Sequence, residues 1–235
     1  MLIDSILNFV FPVACVVCGA QVLERRYGAA CPDCWDHLSP ITEPMCPRCG
    51  LPAVAIEGPC IHCRTGETIF DFARSAVFFS ETARGIVHHL KYQDRVSLAA
   101  PIGRMLAELA RDCEGDIVIP VPLHSARQRE RGFNQAELIA RHLQRKVEAQ
   151  WVRRRKKTPS QTGLSRSDRK RNLAGAFEVH GDVAGCSVIV VDDVFTTGAT
   201  LNEIAKALKR AGAYRVEVLT FARVPDDGAS SVSSQ

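Results

Sequence analysis

The chain has 235 residues, of which 46% are hydrophobic and 24% charged, a balance near the globular average that excludes disordered, collagen-like and membrane-spanning classes. This length accommodates one ordinary domain and a small second one. Thirty Lys and Arg against 26 Asp and Glu give a net charge of +4, yet residues 127–171 hold 15 basic and 4 acidic side chains, so the near-neutral total conceals one strongly basic stretch.

The first residues, MLIDSILNFVFPVA, are apolar but have no basic leader, contain Asp4 and stop far short of the ~20 residues that a membrane span needs. They read as an amphipathic turn docked on the body, with neither signal peptide nor anchor, and a cytoplasmic chain is expected. Eight of the ten cysteines then form four CxxC pairs: Cys15/Cys18, Cys31/Cys34, Cys46/Cys49 and Cys60/Cys63. Disulfides are not expected without export. A CxxC turn sets two thiolates on one ion, and a second pair after a hairpin-length spacer completes a tetrahedral four-thiolate zinc site. Twelve residues separate Cys18 from Cys31 and ten separate Cys49 from Cys60. Consecutive pairing is the simplest arrangement, and an interleaved one stays open. Residues 1–66 are therefore expected to form a double zinc ribbon.

Seven prolines between residues 12 and 59 leave this segment little helical periodicity or core, so metal binding on the order of 10 kcal/mol per site would have to fold it. Removing zinc is expected to unfold the N-terminal third and spare the rest. Four thiolates leave no open position for water, which makes the metal structural rather than catalytic. The lone Cys113 and Cys186 read as small core hydrophobes.

Residues 67–224 alternate strands with helices. FARSAVFF (72–79), IVIPV from Ile117, SVIVV from Ser187 and the segment Val216 to Phe221 read as strands. Helices are expected over 81–92 and 97–111, after Asn134 with a stripe of Ala136, Ile139, Ala140, Leu143 and Val147, and around Leu201, Ile204, Ala205 and Leu208 before Gly212. Such alternation predicts an α/β domain with a mostly parallel sheet that binds ligands beyond the strands' carboxyl ends. The tail, residues 225–235, has nothing to bury and is expected to be disordered.

Chemistry concentrates at one strand end. Val190 to Thr200 reads VVDDVFTTGAT: an apolar strand, two acids, then a hydroxyl and glycine loop entering a helix. Gly198 permits close approach, while the backbone N–H groups from Thr196 through Ala199 and the hydroxyls of Thr196, Thr197 and Thr200 can surround a phosphate at a helix N-terminus. Asp192 and Asp193 can accept hydrogen bonds from a ribose diol, directly or through Mg²⁺ held mainly by ligand and water. No GxxxxGK[ST] or GxGxxG supports ATP hydrolysis or NAD chemistry. His88, His89 and His124 read as surface or satisfied polar groups. The run Arg153, Arg154, Arg155, Lys156 and Lys157 follows Trp151, placing a cationic track beside a ring that can stack a base of single-stranded DNA.

The VVDDVFTTGAT run resembles the ribose-5-phosphate signature of type I phosphoribosyltransferases. The surrounding blocks resemble one branch of that fold, the ComF family of competence-related proteins: the four CxxC pairs, Leu90-Lys91-Tyr92, Pro120-Val121-Pro122-Leu123, Arg131-Gly132-Phe133-Asn134-Gln135, Thr158 to Gln161, Gly163-Leu164, Arg171-Asn172 and Gly175-Ala176-Phe177. The resemblance implies a type I phosphoribosyltransferase-like parallel sheet flanked by helices, binding phosphoribosyl pyrophosphate with Mg²⁺. It implies a pyrophosphate loop over Val121, Pro122 and Leu123 to Arg131, Lys91 among the ligand contacts, and a mobile basic loop over 153–171. Three roles stand: a binding protein acting with single-stranded DNA in DNA uptake, a phosphoribosyltransferase of nucleobase salvage or nucleotide metabolism, and an adaptor whose zinc ribbons and basic loop recruit other uptake or recombination proteins.

Overall fold

A computed structural model describes residues 13–52, 58–66, 68–155 and 173–225. The expected N-terminal turn, apart from its last two residues, Lys156, Lys157, the basic loop onward to residue 171 and the tail from residue 226 lie outside the described residues. No helix among the described residues is long and apolar enough to cross a membrane.

The N-terminal segment contains only scraps of regular structure: a two-stranded ribbon, β1 (Val13–Ala14) with β2 (Gln21–Val22), and two single-turn helices, α1 (Pro32–Asp36) and α2 (Ile61–Arg64). Sulfur clusters organise it. Cys15, Cys18, Cys31 and Cys34 form one group and Cys46, Cys49, Cys60 and Cys63 the other, with all sulfurs of a group within 4.8 Å of one another. The pairing is thus consecutive. Sγ separations of 3.6 Å for Cys15–Cys34 and Cys18–Cys31, 3.8 Å for Cys46–Cys63 and 3.5 Å for Cys49–Cys60 match the edges of about 3.8 Å of a tetrahedron with ~2.3 Å zinc–sulfur bonds. In each group a backbone N–H 3.3 Å away, from Cys31 or Cys60, donates to the first sulfur, Cys15 or Cys46. Burial would raise these two thiols, but such N–H donors outweigh it and hold both at about 6. The groups are therefore suited to a bound cation.

The remaining chain forms one parallel sheet. β3 (Phe72–Phe78), β4 (Ile117–Pro120), β5 (Lys146–Val147), β8 (Ser187–Phe195) and β9 (Arg215–Arg223) lie in the order β3-β9-β8-β4-β5, so every carboxyl end faces the same edge. β8 and β9 are central and nearly continuously buried, as a sheet covered on both faces requires. Helices α3 (Glu81–Tyr92), α4 (Ala99–Leu109), α5 (Ser125–Arg131), α6 (Gln135–Ala140) and α7 (Ala199–Arg210) connect the strands. A separate ribbon pairs β6 (Val152–Arg154) with β7 (Phe177–Val179) antiparallel.

Two expected helices are shorter than their apolar stripes. The segment 97–111 is α-helical only over α4 and has 3₁₀ turns at both ends. After Asn134 the helix stops at Ala140, and Val147 belongs to edge strand β5. Arg145 explains the early stop, because its guanidinium donates to the carbonyls of Ala110, Cys113 and Gly115 and pins the chain at the end of the neighbouring connection.

The ribbons cover the exposed edge of β3. Ala73 N–H donates to Arg48 O at 2.7 Å, Ile41 N–H to Ala76 O at 3.0 Å and Phe78 N–H to Ser39 O at 2.8 Å, satisfying an edge that would otherwise template aggregation. Trp35 packs edge-on against Phe221 of β9 with centroids 6.2 Å apart. Buried Arg223 donates to Cys49 O at 2.8 Å and lies 4.2 Å from the Phe195 ring centroid. One apolar cluster contains Cys15, Cys31 and Cys34 with Phe221 and Ile86, and a second contains Cys46, Cys49, Cys60 and Cys63 with Phe70 and Phe195.

This continuity revises the expectation that the ribbons unfold alone. Purified protein should contain about two zinc ions per chain by elemental analysis. A chelator should lower the melting temperature of the sheet's near-ultraviolet signal as well, whereas an unchanged sheet transition would show the two parts to be independent.

Candidate functional site

β8 leaves the core at Asp192 and Asp193 and ends at Phe195, after which Thr196, Thr197 and Gly198 turn the chain into α7. Gly198 has φ +71°, and an added Cβ would stand 2.9 Å from Phe195 Cζ, so both backbone and ring demand glycine there. Gly198 offers no side-chain cap. The first-turn N–H groups of α7 thus lack one, apart from a 3.4 Å contact of Ala199 N–H with Thr197 Oγ1.

A cleft of about 420 Å³ opens at this sheet edge. Val121, Pro122 and Leu123 enter it after β4, Asp192 and Asp193 from β8, and Thr196, Gly198, Ala199 and Thr200 from the loop and α7. Lys91 and Tyr92 close one side from the end of α3, and Arg127 and Arg154 line it from α5 and β6. Thr197 instead lines an adjoining cavity of about 250 Å³ beneath the second ribbon, so the three threonines do not share one face.

The two acids have different environments. Asp193 is 2% exposed. One of its oxygens meets Lys91 Nζ, the other accepts from Gln135 Nε2 at 3.2 Å, and its N–H donates to Asp192 Oδ1 at 2.9 Å. Burial works to raise Asp193, but Lys91 and these hydrogen bonds outweigh it and hold the carboxyl below its usual range. Burial likewise works against Lys91, and the two carboxylates raise it all the same. Asp192 has no ammonium of its own. Burial and the neighbouring Asp193 charge push it well above the usual carboxylate range, leaving an acid that a cation or a donor pair would stabilise.

The segment after β4 is not loop throughout. Only Val121 to His124 is irregular, because His124 Nδ1 accepts from Ala126 N–H at 3.2 Å and starts α5. Asn134 pins this segment by donating to Val121 O at 3.0 Å while capping α6 through Ala136 N–H. Arg131 stands outside the cleft lining, donating to Gln135 Oε1 with its guanidinium 5.1 Å from the Tyr92 ring centroid. His89 departs from the expected satisfied state, since its buried Nδ1 has no hydrogen-bond partner among the described residues.

Two descriptions match the chain: a double zinc ribbon domain over residues 6–64 and a phosphoribosyl transferase domain over residues 91–233. It is 34% identical over 223 residues to DNA utilization protein YhgH of Escherichia coli K12, covering 90% of this chain and 97% of that protein. Competence protein F of Haemophilus influenzae is 31% identical over 231 residues, with 92% and 99% covered. Competence protein ComFC of Bacillus subtilis is 27% identical over 198 residues, with 77% and 78% covered.

The chain belongs to the ComF family.

In this ComF-family chain the basic run is divided by strand geometry. Along β6 successive side chains alternate, so Arg154 turns to the cleft while Arg153 and Arg155 are exposed, Arg155 pairing with Glu178 at 3.2 Å. Trp151 offers no open platform. Its ring lies so close on Gly181 that a Cβ there would stand 2.2 Å away, and Lys146 Nζ is 5.7 Å from the ring centroid. Sequence reasoning gave no role to Gln135 or Tyr92, although both stand in the blocks that carry the family resemblance.

Replacing Lys91 by Met should destabilise the fold by roughly 3 kcal/mol, since it strands a buried carboxylate. Adding Asp193→Asn should recover part of that loss in a urea-denaturation double-mutant cycle. Additive losses would show that the pair does not interact.

Proposed function

We propose that this ComF-family chain binds phosphoribosyl pyrophosphate with Mg²⁺ in the cleft beyond β8, and acts in the cytoplasm with single-stranded DNA during DNA uptake. One observation carries the reading: a helix N-terminus with no N-cap side chain and an adjacent acid pair, Asp193 buried and Asp192 part-exposed, line the same cleft, about 420 Å³ in volume. The N-terminus of α7 suits the 5-phosphate, with Thr196 and Thr200 beside it. Asp192 and Asp193 suit the ribose diol, and Arg127 and Arg154, with the backbone from Val121 to Leu123, suit the pyrophosphate. Bound Mg²⁺ would neutralise pyrophosphate charge, and Asp192 is the group best placed to favour it. Cysteines gathered in two four-sulfur groups, a metal-binding rather than a disulfide pattern, fit a cytoplasmic protein, and the relatives named for DNA utilization and competence support the role in uptake.

Titration calorimetry tests the binding reading. Asp192→Asn should weaken Mg²⁺-dependent binding about tenfold or more, as loss of a charged hydrogen-bond acceptor worth ~1.5 to 3 kcal/mol requires. Because Asp192 is raised in the free protein, protons compete with the ligand, so affinity should increase as pH rises above the ordinary carboxylate value of about 3.9 and level off once Asp192 is ionised. The Asn variant should flatten that profile. Unchanged affinity in the variant would overturn the assignment, and pyrophosphate release on adding a nucleobase or amine would replace binding by phosphoribosyl transfer.

A further inference from the structure

At the lip of the cleft one aromatic ring is left open. Tyr92, at the end of α3, is 64% exposed and lines the cleft entrance. A single exposed aromatic is ordinary, but this one has a charged and a polar neighbour that hold it in place. The Arg131 guanidinium lies 5.1 Å from its centroid, and the His88 ring stands 5.2 Å away, tilted by 48°. Arg131 is fixed in turn by Gln135 Oε1, and Gln135 by Asp193. The ring is therefore anchored to the same network that orders the acid pair, which Lys91, its chain neighbour, completes.

Its surroundings are cationic. No carboxylate among the described residues forms an ion pair with Arg127 or Arg131, and these two, one helical turn apart on α5, bring one guanidinium to the cleft and one to the ring. That combination, an aromatic face for a base and uncompensated cations for the backbone, is how single strands are bound without sequence preference. The other open tyrosine, Tyr214, precedes β9 at the opposite edge of the sheet.

We propose that Tyr92 is a stacking platform for a nucleobase of single-stranded DNA, with Arg127 and Arg131 holding the adjoining phosphates. The proposal deepens the reading above and takes the class of partner from it. It moves the nucleic-acid contact from the run after Trp151 to the mouth of the cleft.

The experiment uses fluorescence anisotropy on the full chain without phosphoribosyl pyrophosphate, comparing a labelled thymidine oligonucleotide with an abasic one of equal length and charge. The native chain should bind the thymidine strand about tenfold more tightly, as one stacked base implies. Tyr92→Leu should abolish that preference while leaving the abasic strand unaffected, and Tyr92→Phe should retain it. Arg131→Gln should weaken both strands. A preference that survives in Tyr92→Leu, or a loss equal for both strands, would overturn the proposal. Displacement of the thymidine strand by thymidine 5′-monophosphate at concentrations similar to the oligonucleotide's own would assign the platform to a free nucleotide and also overturn it. Because no phosphoribosyl pyrophosphate is present, failure here is separable from failure of the pocket assignment, which the Asp192 titration reads.

Discussion

The buried contact between Lys91 and Asp193 joins the end of α3 to the end of β8, two parts of the chain about a hundred residues apart. A charge this deep is tolerated only when paired and hydrogen-bonded, and Gln135 supplies the additional donor from α6. Through Gln135 the network reaches Arg131 and Tyr92. One ammonium cannot neutralise two carboxylates, so Asp192 retains an unmet demand for a partner at the cleft floor. The proposal of a hydroxyl-rich, anionic ligand rests on that asymmetry together with the start of α7 nearby.

The ribbons extend the same logic to the other side of the loop. They close the free edge of β3 with backbone hydrogen bonds and send Cys49 O to Arg223, whose guanidinium faces Phe195. Phe195 in turn bears on Gly198. A path of contacts thus runs from the second thiolate group to the turn that starts α7. Metal in that group would therefore steady the turn that starts α7, as a structural rather than a chemical part.

Features written in contiguous residues were legible in the sequence. The CxxC pairs announced themselves because each is a local turn, and Val190 to Thr200 did so because strand, acids, loop and helix follow without interruption. Features that depend on distant partners were not. Helix α6 stops early because Arg145 answers carbonyls at the end of the preceding connection, and no apolar periodicity records that demand. The run from Arg153 to Arg155 read as one track, whereas a short strand divides it; recognising Val152 as buried was the missing signal. Lys91 entered only through family resemblance, since nothing near it in sequence reveals an acid on β8. Docking of the ribbons on β3 was equally invisible, being made largely of main-chain groups.

We infer that one cleft holds a phosphoribosyl group between the acids of β8 and the start of α7. A crystal structure of the chain grown with Mg²⁺ and phosphoribosyl pyrophosphate tests it most directly. The ribose hydroxyls are expected against Asp192 and Asp193 and the 5-phosphate within the turn from Thr196 to Thr200, with Arg127 or Arg154 on the pyrophosphate. Ligand bound instead in the cavity beneath the second ribbon, or a cleft still empty at saturating ligand, would contradict it.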